Sequence, residues 1–345
     1  MKLTLSSLSK HYPGDRGIQN IDFSIEQGEG FSLLGPSGCG KTTTLRIVGG
    51  FESPDSGSIF HGDKNITKLP PQKRDIRTVF QKFALFPHLD VQNNVAFGLR
   101  MQKTPEQEIQ KKINWALDLL EIQHIRHRNV KTLSGGEQQR TALARSLVTE
   151  PSVLLLDEPL SALDLKLREK MQLELLSLRR RLGISFLFVT HDQSEAMALS
   201  DRVAVMKDGK VQQIGTPTEI YQRPANRFVA DFIGQANFLS TEAASLFQGN
   251  RDSLPKIKEG QQWMIRPEHF SYHPDGKLTS DRHLVLNGTF LEAAFLGADQ
   301  LAKVELENGQ MILWKSPGFE PIPKSSGEKL FLTVEVEDLW VVDAI

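Results

Sequence analysis

The chain has 345 residues, enough for about two domains with a sizeable buried core. Lys and Arg number 41 against 42 Asp and Glu, a formal charge of −1, so a broad basic footprint for nucleic acid is missing and no nucleic-acid partner is expected. The hydrophobic fraction is 39%, yet no apolar run approaches the ~20 residues that cross a bilayer, and none follows Met1 as a secretory leader would, so a soluble intracellular chain is expected.

The first elements alternate. Leu3 and Leu5 share a face, and Ile21, Phe23 and Ile25 alternate with Asp22 and Ser24, as half-buried antiparallel strands do. Residues 30–34 then read as a buried strand leading into Gly35-Pro36-Ser37-Gly38-Cys39-Gly40-Lys41-Thr42, with a helix following over about 41–48. This run fits G-x-x-x-x-G-K-[ST] at every fixed position and lies between strand and helix, where the mechanism needs it. The glycines let backbone N–H groups curl around phosphate oxygens, and the helix N-terminus adds partial positive charge. Lys41 is expected to reach the β- and γ-phosphates and the Thr42 hydroxyl to bind Mg²⁺. Cys39, the single cysteine, excludes an intrachain disulfide and fits a reducing compartment. It fills a variable position where small size matters, and a thiol near a helix N-terminus reacts more readily.

Further short apolar runs at 76–80, 153–156 and 184–189, separated by helical stretches, predict a parallel α/β sheet covered on both faces. Between the first two lies a helical insert, about 90–150. There Thr104, Pro105 and Gln107 read as N-cap, first helical residue and capping-box partner, and Ile109, Ile113, Ala116, Leu117 and Leu120 recur at helical spacing. The run at 153–156 ends in Asp157-Glu158, which puts two carboxylates at the C-terminal edge of the sheet, where open α/β folds bind ligands. Asp157 is expected to hold Mg²⁺ through water and Glu158 to orient or deprotonate an attacking water. Arg179-Arg180-Arg181 reads as a solvated face, and Asp208-Gly209 as a hairpin turn. Past about 236 the helical signal fades. Asn308-Gly309 turns another hairpin and 330–336 alternates, so a small all-β domain is expected over 240–345. His11, His61, His88, His124 and His127 show no metal-ligand spacing with cysteines or carboxylates.

Leu133-Ser134-Gly135-Gly136-Glu137-Gln138-Gln139-Arg140 carries two glycines just ahead of a helix, poor helix starters that local stability does not explain. Ser134 and Glu137 nonetheless have capping-box spacing. Joined to the phosphate loop before it and the Asp157-Glu158 pair after it, the segment resembles the signature loop of the ATP-binding-cassette (ABC) ATPases. The resemblance implies ATP and Mg²⁺ as cofactors and a head-to-tail dimer, with the signature loop of one copy closing over the γ-phosphate bound by the other. Glu137 stands where glutamine is usual. Its carboxylate would repel a phosphate unless a capping bond to Ser134 turns the charge away.

The remaining landmarks fall in the family's order. Tyr12 resembles the aromatic that stacks on adenine. Gln81 resembles the glutamine that reaches Mg²⁺ and the attacking water, and Phe83-Ala84-Leu85-Phe86-Pro87-His88-Leu89 looks like an importer-type segment after it. Ser161-Ala162-Leu163-Asp164 resembles the loop crossing between subunits, and His191 the switch histidine at the γ-phosphate. The implied catalytic residues are Glu158, His191 and Gln81, with Thr42, Gln81 and Asp157 toward the metal. Implied nucleotide contacts are Tyr12, Gly35, Pro36, Ser37, Gly38, Cys39, Gly40, Lys41, Thr42 and Thr43, completed by Ser134, Gly135, Gly136, Glu137 and Asp164.

Residues 1–235 thus resemble an ABC ATPase domain, and 240–345 the small β-barrel (TOBE-type, OB-like) regulatory domain of bacterial import ATPases, Trp263-Met264-Ile265-Arg266-Pro267-Glu268 being the clearest match. The resemblance implies a motor on the cytoplasmic face of the inner membrane, docked beneath a separate permease and served by an extracytoplasmic solute-binding protein. The stretch from Ile265 to Pro274 resembles ferric-iron importer ATPases, so iron is the expected solute. Polyamine, sugar, sulfate or phosphonate import is the alternative. A soluble ABC protein acting on DNA or ribosomes would carry long coiled coils or a second cassette, and neither is visible in the sequence.

Overall fold

In a computed structural model the chain divides into two compact units, Met1–Pro217 and Thr218–Ile345. The structure describes all residues except 15, 162, 274–281, 324 and 345. Ala162 of the Ser161–Asp164 run and Pro274 at the end of the tail stretch lie outside the described residues.

The first unit opens with antiparallel strands β1 (Leu3–Tyr12) and β2 (Arg16–Ile25). The parallel core begins with β3 (Gly30–Leu34), every residue of it buried, followed by helix α1 (Lys41–Gly49). Next come β4 (Ser56–His61), β5 (Lys64–Asn65) and β6 (Ile76–Val79). Helices α2 (Val91–Met101), α3 (Glu106–Leu119) and α4 (Gly135–Leu147) form the insert, packed through Val95, Leu99, Ile113, Leu117 and Leu143. Then follow β7 (Val153–Asp157), α5 (Leu165–Leu182), β8 (Ser185–Thr190), α6 (Gln193–Leu199), β9 (Arg202–Lys207) and β10 (Lys210–Gly215). The central sheet has the order β10-β9-β3-β8-β7-β6, parallel from β9 to β6. A smaller antiparallel sheet has the order β2-β1-β4-β5.

Two local readings change. Helix α3 is capped by Pro105 rather than Thr104, with no side-chain cap, because Lys103 takes a left-handed φ of 59° and the Thr104 N–H bonds back to Leu99 O. Arg179 is not part of a solvated face. It is buried and forms a two-pronged ion pair with Asp201, its Nη1 and Nη2 reaching the carboxylate at 2.7 and 3.0 Å, while Arg180 and Arg181 are exposed.

In the second unit helices α7 (Pro217–Gln222) and α8 (Arg227–Ile233) precede the strands. They explain why the division falls at 217 and not near 235. Arg266, 1% exposed, donates from Nη1 to Ala230 O, Gly234 O and Gln235 O and from Nη2 to Tyr221 O at 2.8 Å, tying both helices to the β framework. That framework comprises β11 (Asn237–Leu239), β12 (Phe247–Gly249), β13 (Gln261–Ile265), β14 (Ser271–Tyr272), β15 (His283–Phe295), β16 (Asp299–Leu306), β17 (Met311–Pro317), β18 (Lys329–Glu335) and β19 (Trp340–Asp343). Its sheets, β11-β13-β19 and β14-β18-β15-β16-β17, enclose a core around Phe247, Trp263, Leu286, Trp314 and Leu332.

Candidate active site

The loop over 35–40 leaves the C-terminal end of β3 in the middle of the parallel sheet and opens into α1. Helix α1 has no side-chain cap and no acidic residue in its first turn, so its leading N–H groups stay available to an anion. The loop's glycines are needed for space and for backbone angle. A Cβ on Gly35 would collide with the Met206 carbonyl and Cys39 Sγ, and one on Gly40, at φ 101°, with Ile18. Lys41 Nζ donates to Gly35 O at 2.7 Å and Pro36 O at 2.9 Å, which holds its ammonium inside the curl of the loop. The loop floors a cleft of about 590 Å³ lined by Ser37, Gly38, Gly40, Lys41, Thr42, Thr43, Tyr12 and Glu158.

Cys39 lies beneath the loop, buried, and the expectation of a reactive thiol is corrected. Burial pushes the thiol above its ordinary value, outweighing the opposing pull of the Lys41 ammonium.

Three side chains converge at the far side of the cleft. Gln81 Nε2 donates to Glu158 Oε2 at 2.8 Å, and His191 Nδ1 lies 3.1 Å from Glu158 Oε1. An ionised carboxylate only accepts, so the bond assigns the proton to Nδ1 and leaves Nε2 facing away from Glu158. Glu158 itself adopts φ 45°, a left-handed backbone uncommon for glutamate, with its N–H held by Val189 O at 2.8 Å. Asp157 beside it is pushed above the usual carboxylate range, by burial first and then by the Glu158 charge, with Lys41 and Arg46 opposing. A largely buried carboxylate beside the Glu158 charge, together with the Thr42 hydroxyl in the cleft, is a set of hard oxygen donors that fits a divalent cation such as Mg²⁺.

The signature segment folds as a reciprocal cap. Ser134 N–H and Oγ donate to Glu137 Oε2 at 2.8 and 2.7 Å, and Glu137 N–H returns a bond to Ser134 Oγ. Arg128 Nη1 stands 3.3 Å from Glu137 Oε1. These contacts, the Ser134 bonds foremost, hold the Glu137 carboxyl below its ordinary range. The carboxylate is turned into its own helix start. Gly135 and Gly136 differ from the phosphate-loop glycines, since an added Cβ would meet Leu163 at 3.6 Å and Leu167 at 3.4 Å, ordinary contact distances. Neither Ser134–Glu137 nor Asp164, which caps α5 by accepting from Leu167 N–H, lines the cleft.

Two further residues act on this region without any motif to announce them. Glu52 accepts the Tyr12 hydroxyl. Arg145, on α4, donates to Phe83 O and Ala84 O at 2.8 and 2.6 Å and lies over the Phe86 ring, fixing the segment after Gln81 in its left-handed turn. Only their place in the fold reveals them.

A phosphate-cradling loop facing a carboxylate held by glutamine and histidine, at the C-terminal edge of a parallel sheet, defines a P-loop nucleotide hydrolase. Comparison with known proteins narrows the class. Residues 18–161 match the ABC transporter family and residues 263–342 the TOBE domain family. The chain is 55% identical over 326 residues to a spermidine/putrescine import ATP-binding protein, PotA, of Marinobacter nauticus, covering 90% of this chain and 86% of that one. It is 43% identical over 350 residues to the protein of the same name from Borreliella afzelii, covering 99% and 98%. Among solved structures, the dimeric post-hydrolysis state of the ATP-binding cassette MJ0796, bound to ADP and Pi, superposes with a TM-score of 0.55 at 31% identity, covering 62% of this chain and 98% of that one. The chain belongs to the ABC transporter ATP-binding proteins, ATPases that couple hydrolysis to transport, and carries a C-terminal TOBE domain.

Proposed function

We propose that this chain is the ATP-hydrolysing motor of a polyamine importer, working as a head-to-tail pair on the cytoplasmic face of the inner membrane beneath a separate permease that an extracytoplasmic binding protein loads. The observation that carries the motor reading is the Gln81–Glu158–His191 bracket across the cleft from the phosphate loop. Main-chain N–H groups of 35–42 and the Lys41 ammonium hold the triphosphate, Thr43 adds to the loop's contacts, and the Tyr12 ring supports the base. Thr42, Asp157 and Gln81 are the residues that would hold Mg²⁺, which when bound would supply charge neutralisation for the triphosphate. Glu158 takes the proton of the attacking water on a carboxylate oxygen. Gln81, on Oε2, and His191, on Oε1, keep the carboxylate aimed, and His191 Nε2 is left free on the side away from Glu158.

The half-site is completed by a second copy. Gly135 and Gly136 have room for a side chain within their own chain, so what demands their smallness is a surface that approaches from outside. Under this reading that surface is the nucleotide of the partner copy, with Ser134 and the α4 N-terminus facing its γ-phosphate and Asp164 at the crossing loop. The permease reading rests on an apolar groove of about 610 Å³ lined by Phe51, Phe80, Phe86, Phe97 and Met101, in which Met101 is 67% exposed. Phe80 precedes Gln81 in the chain, and Phe86 is fixed through Arg145 to the helix that begins at Ser134, so force at the groove reaches both halves of the site.

The solute reading is corrected from iron to polyamine. The Ile265-to-Pro274 stretch resembles iron importers only through a short core shared across solute classes, whereas the spermidine/putrescine relatives match along nearly the whole chain. The test is uptake by proteoliposomes holding the chain with its permease and binding protein. ATP-dependent accumulation of labelled spermidine or putrescine, and none of ferric iron, is the expected result; the reverse pattern overturns the solute, and hydrolysis without any uptake overturns the importer.

A further inference from the structure

The 50–55 turn after α1 grips the end of β1 at several points. Asp55 N–H donates to Ser9 O at 2.9 Å, and the Asp55 carboxylate accepts His11 N–H at 2.7 Å and Lys10 Nζ at 2.9 Å. Glu52 accepts the Tyr12 hydroxyl, and its other oxygen stands 4.0 Å from Arg46 Nε on α1. Thr43, in the first turn of α1, lines the same cleft as Tyr12. The Tyr12 ring therefore does not stand free at the mouth of the cleft. Its far end is fastened to the turn that follows α1, the helix whose first turn borders the phosphate loop. Glu52 is largely shielded, with 18% of its side chain exposed, so its carboxylate is committed to these partners.

We propose that Glu52 is a positioning residue for the nucleobase: it holds the Tyr12 ring at a fixed height and tilt above α1, so that base and triphosphate are gripped together. The inference deepens the proposed function and rests on Tyr12 supporting the base. A tyrosine whose hydroxyl is tethered loses less freedom when a base stacks on it, so the tether acts on binding of nucleotides and not on the chemical step. Inorganic tripolyphosphate, which has no base, must be indifferent to it.

Five variants of the full chain decide the matter: Glu52→Ala, Glu52→Gln, Tyr12→Phe, Tyr12→Ala and the double variant Glu52→Ala with Tyr12→Phe. ATP and tripolyphosphate affinities are measured by calorimetry, and hydrolysis by phosphate release. Glu52→Ala and Tyr12→Phe are each expected to raise the KM for ATP about three- to tenfold with kcat unchanged, and the double variant no further. Glu52→Gln, whose amide oxygen still accepts the hydroxyl, keeps parental KM. Tripolyphosphate affinity stays parental throughout. If Tyr12→Ala weakens ATP while Glu52→Ala stays within twofold of parent, the tether is overturned and the base platform stands. If Tyr12→Ala itself leaves ATP affinity unchanged, the platform and the tether fall together. Equal weakening of ATP and tripolyphosphate in Glu52→Ala would assign Glu52 to the phosphate loop's integrity and overturn the proposal.

Discussion

Replacing Glu158 with glutamine separates chemistry from architecture at this site. The amide oxygen can still accept from Gln81 Nε2, which lies 2.8 Å from the parental carboxylate, but the amide nitrogen cannot accept from His191 Nδ1, so one of two hydrogen bonds is lost, at about 0.5–1.5 kcal/mol. Removing the charge relieves the repulsion that raises Asp157, an opposing gain. With about 2–4 °C per kcal/mol for a unit of this size, the unfolding midpoint should stay within about 5 °C of the parent. Hydrolysis is different, because under the proposed function the water's proton goes to the Glu158 carboxylate, which the amide replaces with a far weaker base. A general base contributes about 10²–10⁴-fold, or roughly 3–5 kcal/mol at 1.36 kcal/mol per decade. Single-turnover phosphate release, run at saturating ATP with binding checked by a fluorescent analogue, measures the loss. A variant that binds ATP normally and hydrolyses it within tenfold of the parental rate would refute the assignment of Glu158 and the meaning given to its bracket.

Four other outcomes follow. Glu137→Ala should cost about 1 kcal/mol through loss of the reciprocal cap, whereas Glu137→Gln keeps an acceptor and should hydrolyse ATP within about twofold of parent; a several-fold acceleration in the latter would mark the carboxylate as a brake. Because the Glu137 carboxyl is depressed in the folded chain, its contribution is present above the ordinary glutamate value of about 4.3 and is lost as pH falls through the folded value, so parent and Glu137→Gln should converge in acid melts. His61 has the opposite chemistry: burial depresses its imidazole, so the unfolded chain binds the proton more readily, stability is complete above about pH 6.5 and declines as pH drops below it, and His61→Gln should flatten that decline in thermal melts between pH 7 and 5. Arg266→Lys should destabilise the second unit by at least about 2 kcal/mol, since an ammonium cannot reproduce the fork that serves four carbonyls; urea titration followed by fluorescence of Trp263, Trp314 and Trp340 reads it, and an unchanged midpoint would show that the fork is dispensable.

What could be read in advance was whatever is encoded locally. The phosphate loop needs its glycines for reasons of space and angle that a sequence displays, and the Ser134–Glu137 cap is a four-residue device complete in itself. The 208–209 turn was equally legible, because Asp208 and Gly209 both take positive φ, 48° and 74°, as a tight hairpin requires. Where a residue's role depends on a partner far along the chain, local reading fails. Arg179 reads as one of three solvated arginines until Asp201 is brought beside it, and Cys39 reads as a thiol that a helix N-terminus activates until the fold buries it. The α7–α8 pair reads as the tail of the first unit in sequence, yet the carbonyls at its helix ends are bound by an arginine some thirty to forty-five residues later.

The convergence on Glu158 is a property of strand order more than of any motif. Gln81 follows β6, Glu158 follows β7 and His191 follows β8, and these three strands are parallel neighbours, with Val79 opposite Leu156 and Asp157 opposite Val189. Separations of 77 and 33 residues therefore collapse to hydrogen-bond distance at one edge, with the middle strand supplying the residue that both neighbours hold. A β-strand continued past Asp157 would send the next side chain along the sheet. The left-handed φ at Glu158 breaks the strand and leaves the carboxylate between its two holders, at a conformational cost of about 1–3 kcal/mol. Such a cost is retained only where the surrounding contacts over-determine the backbone, and here they do: the Glu158 N–H is bound by Val189 O, and its own C=O accepts Ser161 Oγ at 3.0 Å. The turn that places the Glu158 carboxylate is thus held from β8 on one side and from Ser161 on the other, so a shift at Ser161 is transmitted first to Glu158.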